Sequence, residues 1–204
     1  LALDSFGKEW GWRRSGDMSS WSELMHCQAN RRKISILQKS GSKIWHKSKS
    51  AENIIFSDSP KEDESFYELT IGPKISSKCC WHPATLWIGI GCERNTSLAL
   101  LKRSITEVLD RFSFAEVAVA GLATIDIKGD ETSLIQLSKD KCWPIKFFSS
   151  HQLSAVNVPN PSEIVECEIG SHSVAEAASI LAVGKEGKLC IEKNIFYARN
   201  NEKG

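Results

Sequence analysis

From Leu86 onward the apolar positions switch back and forth between strand-like and helix-like spacing. Residues 86–90 form a short apolar run that ends in Gly89 and Gly91. After a polar turn, Leu98, Leu101, Ile105, Val108 and Phe112 recur at helical spacing, which predicts a helix over 97–112 with one buried face. A second apolar strand is expected at 117–120, followed by a polar turn at 126–130 and a short helix marked by Leu134 and Leu137. Residues 144–148 predict a third strand, and Ser149-x-x-Gln152 the capping-box start of another short helix. Pro159–Asn160–Pro161 forces a loop. Residues 164–169 are strand-like, 173–183 predict a helix burying Val174, Ala177, Ala178 and Leu181, and 188–197 predict one or two last strands. Strands alternating with helices give an α/β fold, a three-layer domain around a mixed, largely parallel sheet.

The first part of the chain is patterned less regularly. Asp17 to Ser20 can cap a helix running from about Trp21 to Asn30, with Trp21, Leu24, Met25 and Gln28 along one side. Strands are expected at 34–37, 54–56 and 67–71, separated by a polar, charged stretch around 47–65. Gly72–Pro73 and the Ser/Lys run to Lys78 read as a boundary. The division is therefore a small α/β partial domain over 1–78 and the α/β domain over 79–204. Trp10, Trp12 and Trp21 can flank a flat ring by stacking, but core packing is the simpler reading.

Composition adds limits. A chain of 204 residues with 41% hydrophobic content can bury one good core or a core plus a smaller partner. The net charge of +1 carries no general nucleic-acid or membrane signature. Residues 1–50 hold ten Lys/Arg against four Asp/Glu, which scattered surface lysines explain more simply than an acidic partner. Seven cysteines, with no C-x-x-C spacing and no secretory leader, read as reduced thiols of a cytoplasmic protein. Cys79, Cys80 and His82 supply too few well-placed ligands for a metal site. No apolar run approaches membrane-spanning length. The opening residue is Leu1 rather than Met, as expected of a fragment of something longer.

The candidate chemistry gathers at the turn after residue 90. A strand, a glycine turn and a helix N-terminus present backbone N–H groups to an anion, and Arg94 can add a bidentate grip on a carboxylate or phosphate. Gly89 and Gly91 match two glycines of a dinucleotide fingerprint, but Arg94 stands at the third position, and no Gly-Lys-Ser/Thr follows to make a P-loop.

Three segments then fall together: GIGCERNT at 89–96, LATIDIKGDE at 122–131 and GSHSVAEAASILA at 170–182. In order and spacing they resemble the C-terminal domain of the cobalamin biosynthesis protein CbiG, the cobalt-precorrin-5A hydrolase, and its relative CobE. Residues 1–46, with ALDSFGKEWGWRR and QKSGSKIWH, resemble the central part of longer CbiG proteins, in which another domain comes first. Two departures stand out. Asn95 replaces the usual glycine of the turn, the least costly exchange where φ is positive. The chain also stops soon after Tyr197, where the family has one more apolar strand.

The resemblance implies a place in the oxygen-independent route to cobalamin. CbiG opens the δ-lactone of cobalt-precorrin-5A and expels a two-carbon fragment as acetaldehyde, to give cobalt-precorrin-5B. CobE implies an alternative, a non-catalytic binding module for corrinoid intermediates. A substrate bearing many acetate and propionate groups calls for cations and free N–H groups. Substrate-binding candidates are Gly89, Gly91, Arg94, Asn95, Thr96, Thr124, Lys128, Asp130 and Ser173, with helix N-termini near Thr96, Asp130 and Ser173. Arg94 can instead pair with Glu93 or Glu107 on the surface. Lactone opening needs water activated by a base, and the carboxylates available are Asp126, Glu131 and Glu176. Glu176 also completes a Ser173-x-x-Glu176 capping box, the reading its position favours. Thr96 and Asp130 read equally as caps, His172 as a solvated histidine and Cys92 as a buried thiol. No Ser–His–Asp or Cys–His arrangement is legible. No cofactor is implied beyond the cobalt carried by the substrate, and the expected partners are the tetrapyrrole, the preceding CbiG domain and other cobalamin-pathway enzymes.

Overall fold

The computed structural model describes residues 2–47, 52–60, 65–160, 174–185 and 187–202. The chain forms two compact units, residues 1–85 with 109–118, and residues 86–108 with 119–204.

In the first unit, β1 (Arg13–Ser15), β2 (Ile34–Gln38), β3 (Ile54–Ser57), β4 (Tyr67–Ile71) and β5 (Cys79–His82) form one sheet in the order β1-β5-β4-β2-β3. All neighbours are parallel except the edge pair β1–β5. Helices α1 (Phe6–Glu9) and α2 (Met18–Ala29) contribute to a core of Phe6, Trp12, Trp21, Leu24, Ile34, Ile36, Trp45, Leu69, Ile71 and Trp81. The aromatic rings meet edge to face, Phe6 and Trp21 each 5.6 Å from Trp81. Trp12 and Trp21 are thus core residues, whereas Trp10 is 39% exposed. Asp17 caps α2, its carboxylate accepting from the Ser20 N–H at 2.7 Å.

The division between units falls at Thr85/Leu86 rather than at Lys78. Cys79–His82 is a strand paired with β4 on one side and β1 on the other, and so belongs to the first sheet. Cys79 and Cys80 are successive strand residues and face opposite sides of it. The Cys79 thiol lies 3.8 Å from the Tyr67 hydroxyl, and Cys80 is 2.9 Å from Thr70 Oγ1.

The second unit repeats strand and helix: β6 (Leu86–Gly89), α3 (Leu98–Arg111), β7 (Val119–Ile125), α4 (Thr132–Lys141), β8 (Ile145–Phe148), α5 (Ser150–Ser154) and α6 (Val174–Val183). The sheet β6-β7-β8 is parallel throughout. Parallel neighbours require crossovers, which α3 and α4 supply on one face. Helix α6 packs on the other, with Val174, Ala177, Ala178 and Ala182 against Ala123, Ile125 and Leu153. Ser149 forms the expected capping box with Gln152.

Two expectations are corrected here. The middle strand begins at Val119 and runs on to Ile125, well past residue 120. Gly121 does not end it: it pairs with Trp87 of β6, whose ring lies 2.6 Å from where a β-carbon would sit. The described residues of 187–199 contain no strand; side chains meet their backbone instead, Glu176 accepting from Lys193 N–H at 2.8 Å and Arg103 donating to the Tyr197 carbonyl at 2.9 Å. The strand expected at 164–169, together with His172 and Ser173, lies outside the described residues.

Candidate functional site

Because β6 and β7 are parallel, the turns that follow them emerge at the same edge, where open α/β sheets bind ligands. The first turn carries Gly91 to Ser97 and the second Asp126 to Glu131. The start of α6 joins them. A β-carbon on Gly89 would lie 1.8 Å from the Ala175 carbonyl oxygen, so the strand end touches the helix backbone directly. Gly91 has Val174 and Ala175 as neighbours at ordinary contact distance. The three segments that carry the resemblance thus meet at one place.

Local hydrogen bonds fix the shape. Asn95 adopts φ +60°, the left-handed conformation that asparagine tolerates, and its N–H donates to Glu131 Oε1 at 3.0 Å. Glu131 is buried and begins α4 without a side-chain cap bond; its other oxygen lies 4.0 Å from the ammonium of Lys128, also buried. Thr124 Oγ1 donates to the Ile90 carbonyl at 2.7 Å, closing the end of β6 onto β7. Thr96 donates to the Glu93 carbonyl, and Ser97, not Thr96, accepts from an α3 N–H, that of Leu100. Arg94 pairs with neither Glu93 nor Glu107. It donates to the Asp130 carboxylate and, at 2.7 Å, to the Ile127 carbonyl. The Arg94 hydrogen bond holds the Asp130 carboxyl below its usual range, so Asp130 is an ion-pair partner rather than a cap. Burial pushes the Cys92 thiol up.

The candidate carboxylates separate. Asp126 is exposed at the end of β7, and no described residue donates a hydrogen bond to its side chain. Glu131 is occupied by the turn it braces. Glu176, 2% exposed, turns to Asn160 and Lys193: it accepts from Asn160 N–H at 3.1 Å, Asn160 Nδ2 at 2.8 Å and Lys193 N–H at 2.8 Å. Neither bond to Glu176 is legible in the sequence, since Asn160 and Lys193 lie sixteen and seventeen residues away and leave no local signal. Among the described residues no group of three His, Cys, Asp or Glu is placed to hold a metal ion, and no helix is long and apolar enough to cross a membrane.

Residues 86–201 match the family described as Cobalamin synthesis G C-terminus. The chain belongs to that family. A cobalt-precorrin-5A hydrolase from Priestia megaterium is 26% identical over 215 residues, covering 95% of this chain and 55% of that protein, so the chain spans about half the relative's length. Protein CobE from Sinorhizobium sp is 32% identical over 119 residues, covering 54% of this chain and 73% of the relative. Among solved structures, CobE from the cobalamin (vitamin B12) biosynthetic pathway is 34% identical, covering 47% of this chain and 69% of that one at a TM-score of 0.44. A cobalamin biosynthesis protein G homologue from Sulfolobus solfataricus is 13% identical at a TM-score of 0.46, covering 94% and 56%. The CbiG/CobE relationship places the chain among proteins of cobalamin biosynthesis.

Proposed function

We propose that this chain acts on cobalt-precorrin-5A, opening its δ-lactone and releasing acetaldehyde to give cobalt-precorrin-5B. The observation that supports this is the convergence of the Gly89–Thr96 turn, the Asp126–Glu131 turn and the start of α6 at the carboxyl edge of a parallel sheet. The substrate's acetate and propionate groups are met by Arg94 and by the backbone N–H groups at the starts of α3 and α4. Arg94 releases Asp130 as it takes a substrate carboxylate. Lys128 and Glu131 hold the Asn95 turn in shape, and Glu176 holds the chain at Asn160 and Lys193. Asp126 is the carboxylate with freedom to act as base: it takes a proton from the water that adds to the lactone carbonyl, and the ring oxygen leaves as the alcohol. Collapse of that alcohol to an aldehyde breaks the carbon–carbon bond and returns the electron pair to the macrocycle. Cobalt enters with the substrate, and no further cofactor is required. A preceding domain of the longer protein and neighbouring pathway enzymes are the expected partners.

A second reading, a CobE-like module that binds corrinoid intermediates without turnover, is favoured by the engagement of Glu131 and Glu176 in structural bonds. Anaerobic incubation of the chain with cobalt-precorrin-5A, following the absorption spectrum and acetaldehyde together, separates the two. Acetaldehyde that disappears in Asp126→Asn supports the hydrolase. A spectral shift without acetaldehyde supports the binder, and no change in either signal refutes both.

A further inference from the structure

The first unit contains a pairing that the sequence does not reveal, because its members lie 67 residues apart. Ser15 Oγ is 2.7 Å from His82 Nε2, and His82 Nδ1 is 2.7 Å from the Gly72 carbonyl oxygen. A carbonyl only accepts, so Nδ1 carries the ring proton. His82 is fully buried, and burial lowers its pKa, so the ring is neutral and Nε2 presents a lone pair. The Ser15 hydroxyl is therefore the donor in the Ser15–His82 bond. This is the order of groups a serine nucleophile needs: a hydroxyl, an imidazole poised to take its proton, and a fixed acceptor orienting the imidazole.

The backbone around Ser15 is equally particular. Ser15 is the last residue of the edge strand β1 and is only partly buried. A single glycine with φ +108° follows, then Asp17, the N-cap of the twelve-residue helix α2. Only Gly16 separates the last strand residue from the helix N-cap, so the chain turns tightly, and a β-carbon on that glycine would lie 2.0 Å from the Lys78 carbonyl oxygen. A tight strand-to-helix turn lifts a nucleophile clear of its strand.

From this geometry we propose that Ser15, with His82 as its general base, is an acyl-accepting nucleophile for carboxylic esters or lactones. The Ser15 oxygen forms a bond to the ester carbonyl while its proton passes to His82 Nε2. The carbon–oxygen bond to the leaving alcohol then breaks, and His82 returns the proton to that oxygen. Water, deprotonated by His82, releases the acid and restores Ser15. This site lies in the first unit, apart from the lactone opening assigned above to Asp126, and the nucleophile does not rest on that reading.

The test uses the full chain and a fluorophosphonate probe, which phosphonylates activated serines with loss of fluoride. Intact-mass analysis should show a single adduct, peptide mapping should place it on Ser15, and Ser15→Ala should abolish it. His82→Gln should slow labelling by roughly 100-fold or more, the span of general-base assistance. Circular dichroism of both variants checks that they fold. Should His82→Gln not fold, the site of the wild-type adduct and its loss in folded Ser15→Ala carry the test. No adduct, or an adduct mapped to another residue, overturns the proposal whether or not acetaldehyde is released from cobalt-precorrin-5A.

Discussion

Replacing Glu176 by Gln tests whether this carboxylate does chemistry or holds the chain together. The exchange keeps shape and volume and removes only the charge and one acceptor. In the folded chain one oxygen takes Asn160 Nδ2 and the Lys193 N–H, and the other takes the Asn160 N–H, all within 3.1 Å. Glutamine can keep its carbonyl oxygen on the first pair. Its amide nitrogen then faces the Asn160 N–H, donor against donor, and that bond is lost. A hydrogen bond to a charged group contributes about 1.5–3 kcal/mol, and the two that survive lose their charge assistance. The expected cost is about 2–4 kcal/mol to the second unit. Amide hydrogen exchange followed by NMR reads it locally, and Asn160 and Lys193 should lose protection ahead of the strands. Unchanged protection at both amides, with stability within about 0.5 kcal/mol of the parent, would refute the anchoring role.

Two further outcomes follow from the geometry. Gly89→Ala should destabilise the second unit by about 2 kcal/mol or more in urea unfolding, because its β-carbon would meet the Ala175 carbonyl at 1.8 Å; Gly91→Ala, at 3.5 Å from Val174, should leave stability nearly unchanged. Asp17 is pulled down to about 2 by its hydrogen bonds to Ser19 and Ser20, from an ordinary 3.8. A carboxylate with a depressed folded pKa stabilises above its unfolded value and loses that contribution as pH falls. Stability should therefore decline between about pH 4 and pH 2 less steeply in Asp17→Asn than in the parent, and equal slopes would count against the capping bond.

Most elements were legible because their apolar residues keep one period from end to end. Residues 67–71 and the helix around Leu101, Ile105 and Val108 are examples. Reading failed where the partner lies far off in sequence. Gly121 stays in its strand, paired with Trp87 of β6, and the backbone of 188–197 is engaged by Glu176 and Arg103 rather than in a strand. In the candidate site, the conformation of Asn95 was readable because the family's turn carries glycine there and asparagine tolerates the same φ. The Arg94–Asp130 pair and the Asn95–Glu131 bond each span 36 residues, and no spacing rule covers that separation.

The two cations of the site are equivalent in sequence and opposite in structure. Arg94 and Asp130 are both exposed, 53% and 74% by side chain, so water and salt screen their attraction. An incoming carboxylate can replace Asp130 at little cost, keeping the guanidinium paired throughout. Lys128 and Glu131 are 8% and 4% exposed, and separating them would leave a charge in a poorly solvated place. An anionic ligand that drew Lys128 away would also disturb Glu131, and with it the Asn95 N–H that shapes the turn. The physical division of labour follows. In the function proposed above, Arg94 is the arm that trades one carboxylate for another, and Lys128 belongs to the frame that keeps the arm in place.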